Sequence, residues 1–261
     1  MIMINFQKMG IALIALLFLS FIQPAFAEDP PLPTPVGRVI WVQGTLKAIM
    51  PNQEERLLKK TSVIYLNDTL ITDSKSKAQI AFTDNTLMTF RPDTKFYIDK
   101  YQYNPKAKKG SVGKYIMNLI EGGFRTITGL IAKGNPSDYK VNTPVATIGV
   151  RGTDYTVYVN PKGQLYVGYY SGSPCVDSKK GSLCLSEKTK YAYVPTSGAV
   201  PVPLSQQPAV FHEKLDIVPT KITPFSAVGG GVTTAGTAVG TTGTSTPPAR
   251  SGTVSSFCIT N

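Results

Sequence analysis

Residues 145 to 159 constrain the fold more than any other stretch of this chain. Two runs rich in β-branched and aromatic residues, Val145 to Val150 and Thr153 to Val159, meet through Arg151, which lies between Gly149 and Gly152. Such runs suit a pleated, half-buried surface, and glycine marks points where a chain bends sharply or another backbone comes close. A guanidinium carries five fixed donors and keeps its charge, so among apolar strands it needs partners. The stretch predicts a strand corner pinned by Arg151, with Asp154 or backbone carbonyls as its partners. It assigns structural roles to Gly149, Arg151, Gly152, Thr153 and Asp154.

Strand signals dominate from Val36 onward. Ala78, Ile80 and Phe82 alternate with Lys77, Gln79 and Thr83, the period of a half-buried strand. Asp84-Asn85 then separates this run from Thr86 to Phe90, as a tight hairpin turn requires. Across residues 95 to 103 the alternation puts Phe96 and Ile98 on one face and Tyr97, Tyr101 and Tyr103 on the other. Residues 114 to 131 read as strand rather than helix, because Gly122-Gly123 interrupts any helical turn. Further strands are expected in 164 to 171, 184 to 187 and 190 to 194. The expected fold is all-β, with many short strands, either a sandwich or a short β-solenoid-like stack.

The two ends differ from this middle. Lys8, the apolar run Ile11 to Ile22 and Ala25-Phe26-Ala27 form the pattern of a cleavable signal peptide over residues 1 to 27. The segment 28 to 36 reads as an extended proline-rich leader, and residues 219 to 261 as a flexible Gly/Thr/Ser-rich tail. The expected location is periplasmic or secreted, with no transmembrane span after signal cleavage. Cys175 and Cys184 flank a turn-rich span, which predicts a disulfide closing a hairpin end. Cys258 is left free, paired with another chain, or competing for one of the other two. Lys and Arg number 27 against 16 Asp and Glu, for a net charge of +11. That balance favours acidic partner surfaces, and an exported chain meets no nucleic acid.

The order of these motifs resembles that of the FecR domain. The run Thr143-Pro144-Val145-Ala146-Thr147-Ile148-Gly149-Val150-Arg151-Gly152-Thr153-Asp154-Tyr155-Thr156-Val157 is similar to its closing signature. Gly37 to Gly44 resembles its opening strand, Leu66 to Thr72 its aspartate step, and Ala78 to Phe90 its hairpin. Asn67 and Asn85 stand where that family has glycine, and asparagine tolerates the left-handed backbone such turns need. The resemblance covers residues 37 to 160 and leaves 161 to 218 as a β-rich extension. It implies many short strands in two facing sheets, elongated, with two strands around a glycine turn at Gly122-Gly123. It also implies periplasmic protein recognition and, in signalling members, contact with a TonB-dependent receptor and control of a sigma factor. No cytoplasmic anti-sigma segment precedes the apolar stretch, so a stand-alone exported FecR domain is expected.

Groups for catalysis are sparse. His212 is the single histidine and has no nucleophile motif around it. No phosphate-cradling glycine motif, calcium loop or zinc ligand set is present, so no catalytic residue, metal site or cofactor is expected. The chain reads instead as a non-enzymatic module that binds another envelope protein, through exposed strand edges. The alternative is a binder of peptidoglycan or anionic polysaccharide, and a hydrolase ranks below both. Tyr97, Tyr101, Tyr103, Tyr166 and Tyr169 are the candidate binding surface, since a tyrosine ring is apolar and its hydroxyl polar.

Overall fold

The computed structural model describes residues 33–107 and 112–220. The expected signal peptide, most of the leader, Cys258 and the tail from residue 221 lie outside the described residues. The rest is all-β. A front sheet orders β4 (Val63–Tyr65), β1 (Pro35–Gln43), β6 (Lys77–Phe82), β7 (Leu87–Phe90), the second half of β9 (Gly113–Ile127), β12 (Asp154–Val159), β13 (Leu165–Ser171), β16 (Tyr191–Val194) and β17 (Val202–Leu204). A back sheet orders β3 (Glu55–Leu58), β2 (Leu46–Ile49), β5 (Thr69–Thr72), β8 (Lys95–Tyr103), the first half of β9, β10 (Tyr139–Asn142), β11 (Thr147–Gly149), β14 (Cys175–Ser178) and β15 (Gly181–Cys184).

Among the described strands, every pairing is antiparallel except β9 with β10. A parallel pair needs a crossover. Here the link carries a short helix, α1 (Leu130–Gly134), and a 3-10 turn over Pro136–Asp138.

β9 belongs to both sheets. Its Gly113 to Glu121 half pairs with β8, and its Gly122 to Ile127 half pairs with β12. The Gly122-Gly123 pair is therefore a corner within one strand rather than a turn between two. Gly122 has φ +74°, and a Cβ there would lie 2.4 Å from the Asp93 carbonyl oxygen and from Thr94 Cα. A Cβ on Gly123 would lie 2.2 Å from the Val157 carbonyl oxygen. Only glycine fits two such approaches. The Thr94 hydroxyl accepts from the Gly123 amide at 3.0 Å and donates to the Arg91 carbonyl at 2.9 Å, which ties the corner to the loop before β8.

The core lies between the sheets. Phe82 of the front sheet packs on Tyr115 of the back at 5.0 Å between ring centroids. Phe90 and Phe96 meet across the same gap at 5.1 Å. Tyr115, Tyr139 and Tyr155 are fully buried, and burial pushes their phenol pKa values up. Leu165, Val167, Val176, Ala192 and Val194 join the same buried cluster. Residues beyond 160 thus extend both sheets of one core.

Several turns hold buried polar groups. Asn67 and Asn85 both have φ +67°, in the left-handed region expected for them. Cys175 and Cys184 sit directly opposite each other on β14 and β15, 3.9 Å apart at Cα, and form a disulfide. In the β6–β7 turn, Asp84 is fully buried. Its carboxylate accepts from the Thr86 amide and hydroxyl at 3.0 and 2.9 Å and from the Tyr101 hydroxyl at 3.2 Å. The Asp84 carbonyl accepts from the Leu130 amide at 2.8 Å, so the hairpin turn also anchors the start of α1.

Burial raises the Asp84 carboxyl above its usual value of 3.8, and its hydrogen bonds only partly oppose this. The folded chain then holds a proton that the unfolded chain has released. That contribution is full below the unfolded value and is lost as pH rises through the folded one. Replacement by Asn removes the titration. The stability of wild type relative to Asp84→Asn, from urea titrations, is expected to rise as pH falls from about 7 to about 4. A difference that shrinks over that range would contradict the assignment.

Candidate functional site

The segment from Asn142 to Val159 forms a corner, but Arg151 does not pin it. The Thr143 hydroxyl donates to the Ala146 carbonyl at 2.7 Å and accepts from the Ala146 amide at 3.1 Å. This closes the turn before β11. Gly152 takes φ +60°. The Thr128 hydroxyl accepts from the buried Thr153 amide at 2.8 Å, while the Thr128 amide donates back to the Thr153 carbonyl at 3.0 Å. Arg151 itself is exposed, and no hydrogen bond or ion pair to it occurs among the described residues.

The arginine that holds this corner is Arg125 on β9. Its Nε and Nη2 donate to the two Asp154 carboxylate oxygens at 3.0 and 2.8 Å, and its guanidinium lies 4.3 Å from the Tyr170 ring centroid. Hydrogen bonding to Asp154 raises its pKa further. Gly149 is not sterically required either, because a Cβ there would meet nothing within 4 Å. The close approach falls instead at Gly172, where a Cβ would lie 2.5 Å from the Gly152 carbonyl oxygen.

The five candidate tyrosines do not share one surface. Tyr97, Tyr101 and Tyr103 are on β8 in the back sheet, whereas Tyr166 and Tyr169 are on β13 in the front sheet. A register shift between Ile98 and Lys100 reverses the alternation in β8, the effect of a β-bulge. Tyr101 therefore turns inward, 6 % exposed, and Tyr103 packs against the core. Tyr97 donates to the Asn67 side chain at 3.3 Å, and Tyr166 stacks on Tyr193 at 4.8 Å. Tyr169 does reach a groove of about 630 Å³, shared with Tyr170, Tyr191, Lys190 and Gln207. Tyr191 was not among the candidates, although the strand expected over 190 to 194 carries it.

Among the described strands four sheet edges remain, and they differ in what they offer. β17 is bracketed and interrupted by Pro201 and Pro203, which lack the amide an added strand needs. β15 is cross-linked to β14, and β4 spans only three residues, with its Val63 carbonyl accepting from Arg56 at 3.2 Å. β3 is different. It pairs with β2 on one side, and Leu57 is 74 % exposed. Beside it a cavity of about 550 Å³ is lined by Trp41, Val42, Leu58, Lys59 and Lys60. Trp41 is the single tryptophan, and its indole donates to Gln79 at 3.0 Å.

His212 is exposed. Among the described residues no group of three His, Cys, Asp or Glu side chains is placed to hold a metal ion. No helix among them is long and apolar enough to cross a membrane.

Residues 68–173 match the family model described as FecR protein. The matched span begins at the buried Asp68 and runs past the Arg125–Asp154 corner to the loop after β13. No curated protein matches the chain.

The corner makes a direct comparison between two arginines. Arg125→Ala removes a two-pronged ion pair and leaves Asp154 without its partner, at an expected cost of about 2–3 kcal/mol. Arg151→Ala removes an exposed side chain and is expected to change stability by no more than about 0.5 kcal/mol. Urea denaturation of both variants checks the order, and equal losses would contradict it.

Proposed function

We propose that this chain is an exported binding module that docks an envelope protein by strand addition at β3, just ahead of the span that matches the FecR family. A FecR domain points to a regulatory or signalling-related protein-interaction module and away from catalysis. The observation that carries the finer reading is the state of the β3 edge. Its exposed Leu57 sits beside the Trp41 cavity, with Lys59 and Lys60 at the rim. An edge strand offers unpaired backbone groups to an incoming strand, while adjacent pockets select its side chains. Tryptophan is enriched among the few residues that carry most of the energy of a protein interface. The two lysines favour an acidic partner, in keeping with the charge of the whole chain.

A second reading, binding of peptidoglycan or another anionic polysaccharide, is favoured by a separate observation. Tyr169, Tyr170 and Tyr191 line the groove with Lys190, Lys214 and Glu187, a mixture of aromatic faces and polar groups suited to a hydrated polymer. No observation favours hydrolysis.

A crosslinked pull-down of the mature protein from envelope extracts, followed by titration of the captured protein, separates the readings. Leu57→Lys is expected to weaken capture about tenfold or more without lowering the melting temperature. Tyr191→Ala is expected to leave capture unchanged, and binding is expected to persist at high salt. Steep loss with salt, together with loss in Tyr191→Ala but not in Leu57→Lys, would favour the polymer instead.

A further inference from the structure

The strands β6 and β7 are buried on both faces, although their outward positions carry polar residues. Gln79 and Thr89 are completely or almost completely buried, and Arg91 is 7 % exposed. What covers them is a strap without strand structure, residues 207 to 218, laid across the outer face of the front sheet. The sheet holds this strap by its main chain. Gln79 donates to the Val218 carbonyl at 2.7 Å and accepts from the Val218 amide at 2.8 Å. Thr89 donates to the Asp216 carbonyl at 3.0 Å, Arg125 to Leu215 at 2.9 Å, and Arg91 to Glu213 at 2.7 Å.

Main-chain contacts of this kind do not depend on the sequence of the segment they hold. Selectivity comes from three strap side chains. Phe211 and Leu215 are buried as anchors, and Glu213 between them pairs with Lys77 and Arg91. The strap does not fill its bed. A cavity of about 630 Å³ lies on the Tyr191 side and another of about 430 Å³ on the Tyr158 side.

We propose that the outer face of the front sheet is a cleft for extended polypeptide, occupied in this state by the chain's own strap. Its partner is a protein segment with an acidic residue midway between two bulky apolar residues four positions apart. Such a segment replaces the strap by taking the same donors from Gln79, Thr89, Arg91 and Arg125. This cleft lies on the outer face of the front sheet rather than at the β3 edge, and the two sites meet only at Trp41, which lines the β3 cavity and donates to Gln79.

The probe is a fluorescein-labelled peptide of residues 207 to 220, added to the full mature chain. In Phe211→Ser/Leu215→Ser the strap loses its anchors while the cleft residues stay intact. The peptide is expected to bind this variant at least about tenfold more tightly than wild type, where the strap competes. A peptide carrying Glu213→Lys is expected to lose that binding. A variant that melts cooperatively but does not take up the peptide would overturn the proposal. If the variant does not fold, hydrogen exchange on wild type decides. The Val218 amide is expected to exchange at least about 100-fold faster than the amides of β6 and β7, through local release. Equal rates, with the strap opening only on global unfolding, would overturn it.

Discussion

The passage of β9 from one sheet to the other, at Gly122-Gly123, is the constraint on which the rest of the structure depends. A single strand pairs with β8 before the corner and with β7 and β12 after it. The two sheets are therefore not free to slide over each other. Backbone from the loop before β8 and from β12 closes on the corner within distances that leave no room for a side chain. The buried hydroxyls of Thr72 and Thr94 supply hydrogen bonds to the main chain there, as a buried polar backbone requires.

Past the corner, the same strand delivers Arg125 to the outer face. That one side chain joins three parts of the molecule: Asp154 at the start of β12, the Tyr170 ring on β13, and the Leu215 carbonyl in the strap. Sheet geometry and the seating of the strap thus share a residue. The polar outward positions of β6, β7 and β9 are satisfied through the strap's main chain, whereas the β3 edge of the back sheet has no strand partner beyond β2 among the described residues. The described residues present a covered front face and, at β3, an edge with an exposed leucine beside a cavity, and the two docking proposals follow from these two features.

Much of the architecture was legible in the sequence because it rests on local periodicity. The alternation at Ala78, Ile80 and Phe82 marks β6, and Asn67 and Asn85 mark left-handed turns. The Cys175–Cys184 spacing marks a hairpin end. What escaped depends on distant partners. Asp154 meets an arginine 29 residues earlier rather than one three residues away. Sequence proximity made Arg151 the obvious candidate, but it is exposed. A single extra residue in β8 inverted the faces assigned to Tyr101 and Tyr103, because strand alternation has a period of two and any bulge reverses it. The strap was invisible for a further reason. Its own residues have no strand pattern, and its hydrogen bonds come from side chains that look like ordinary solvent-facing polar residues of β6, β7 and β9.

The corner is tested most directly by comparing Gly122→Ala with Gly163→Ala in equilibrium urea denaturation. Both glycines have positive φ, +74° and +75°, but only Gly122 is crowded: a methyl group there would lie 2.4 Å from backbone atoms, whereas one at Gly163 would meet nothing within 4 Å. Left-handed strain alone costs about 1–2 kcal/mol, and that is the loss expected for Gly163→Ala. Gly122→Ala is expected to lose at least about 4 kcal/mol, or to fail to fold, since it adds backbone overlap to the same strain. Equal losses for the two variants would show that β9 bends there without the close packing described, and that the junction of the two sheets is held elsewhere.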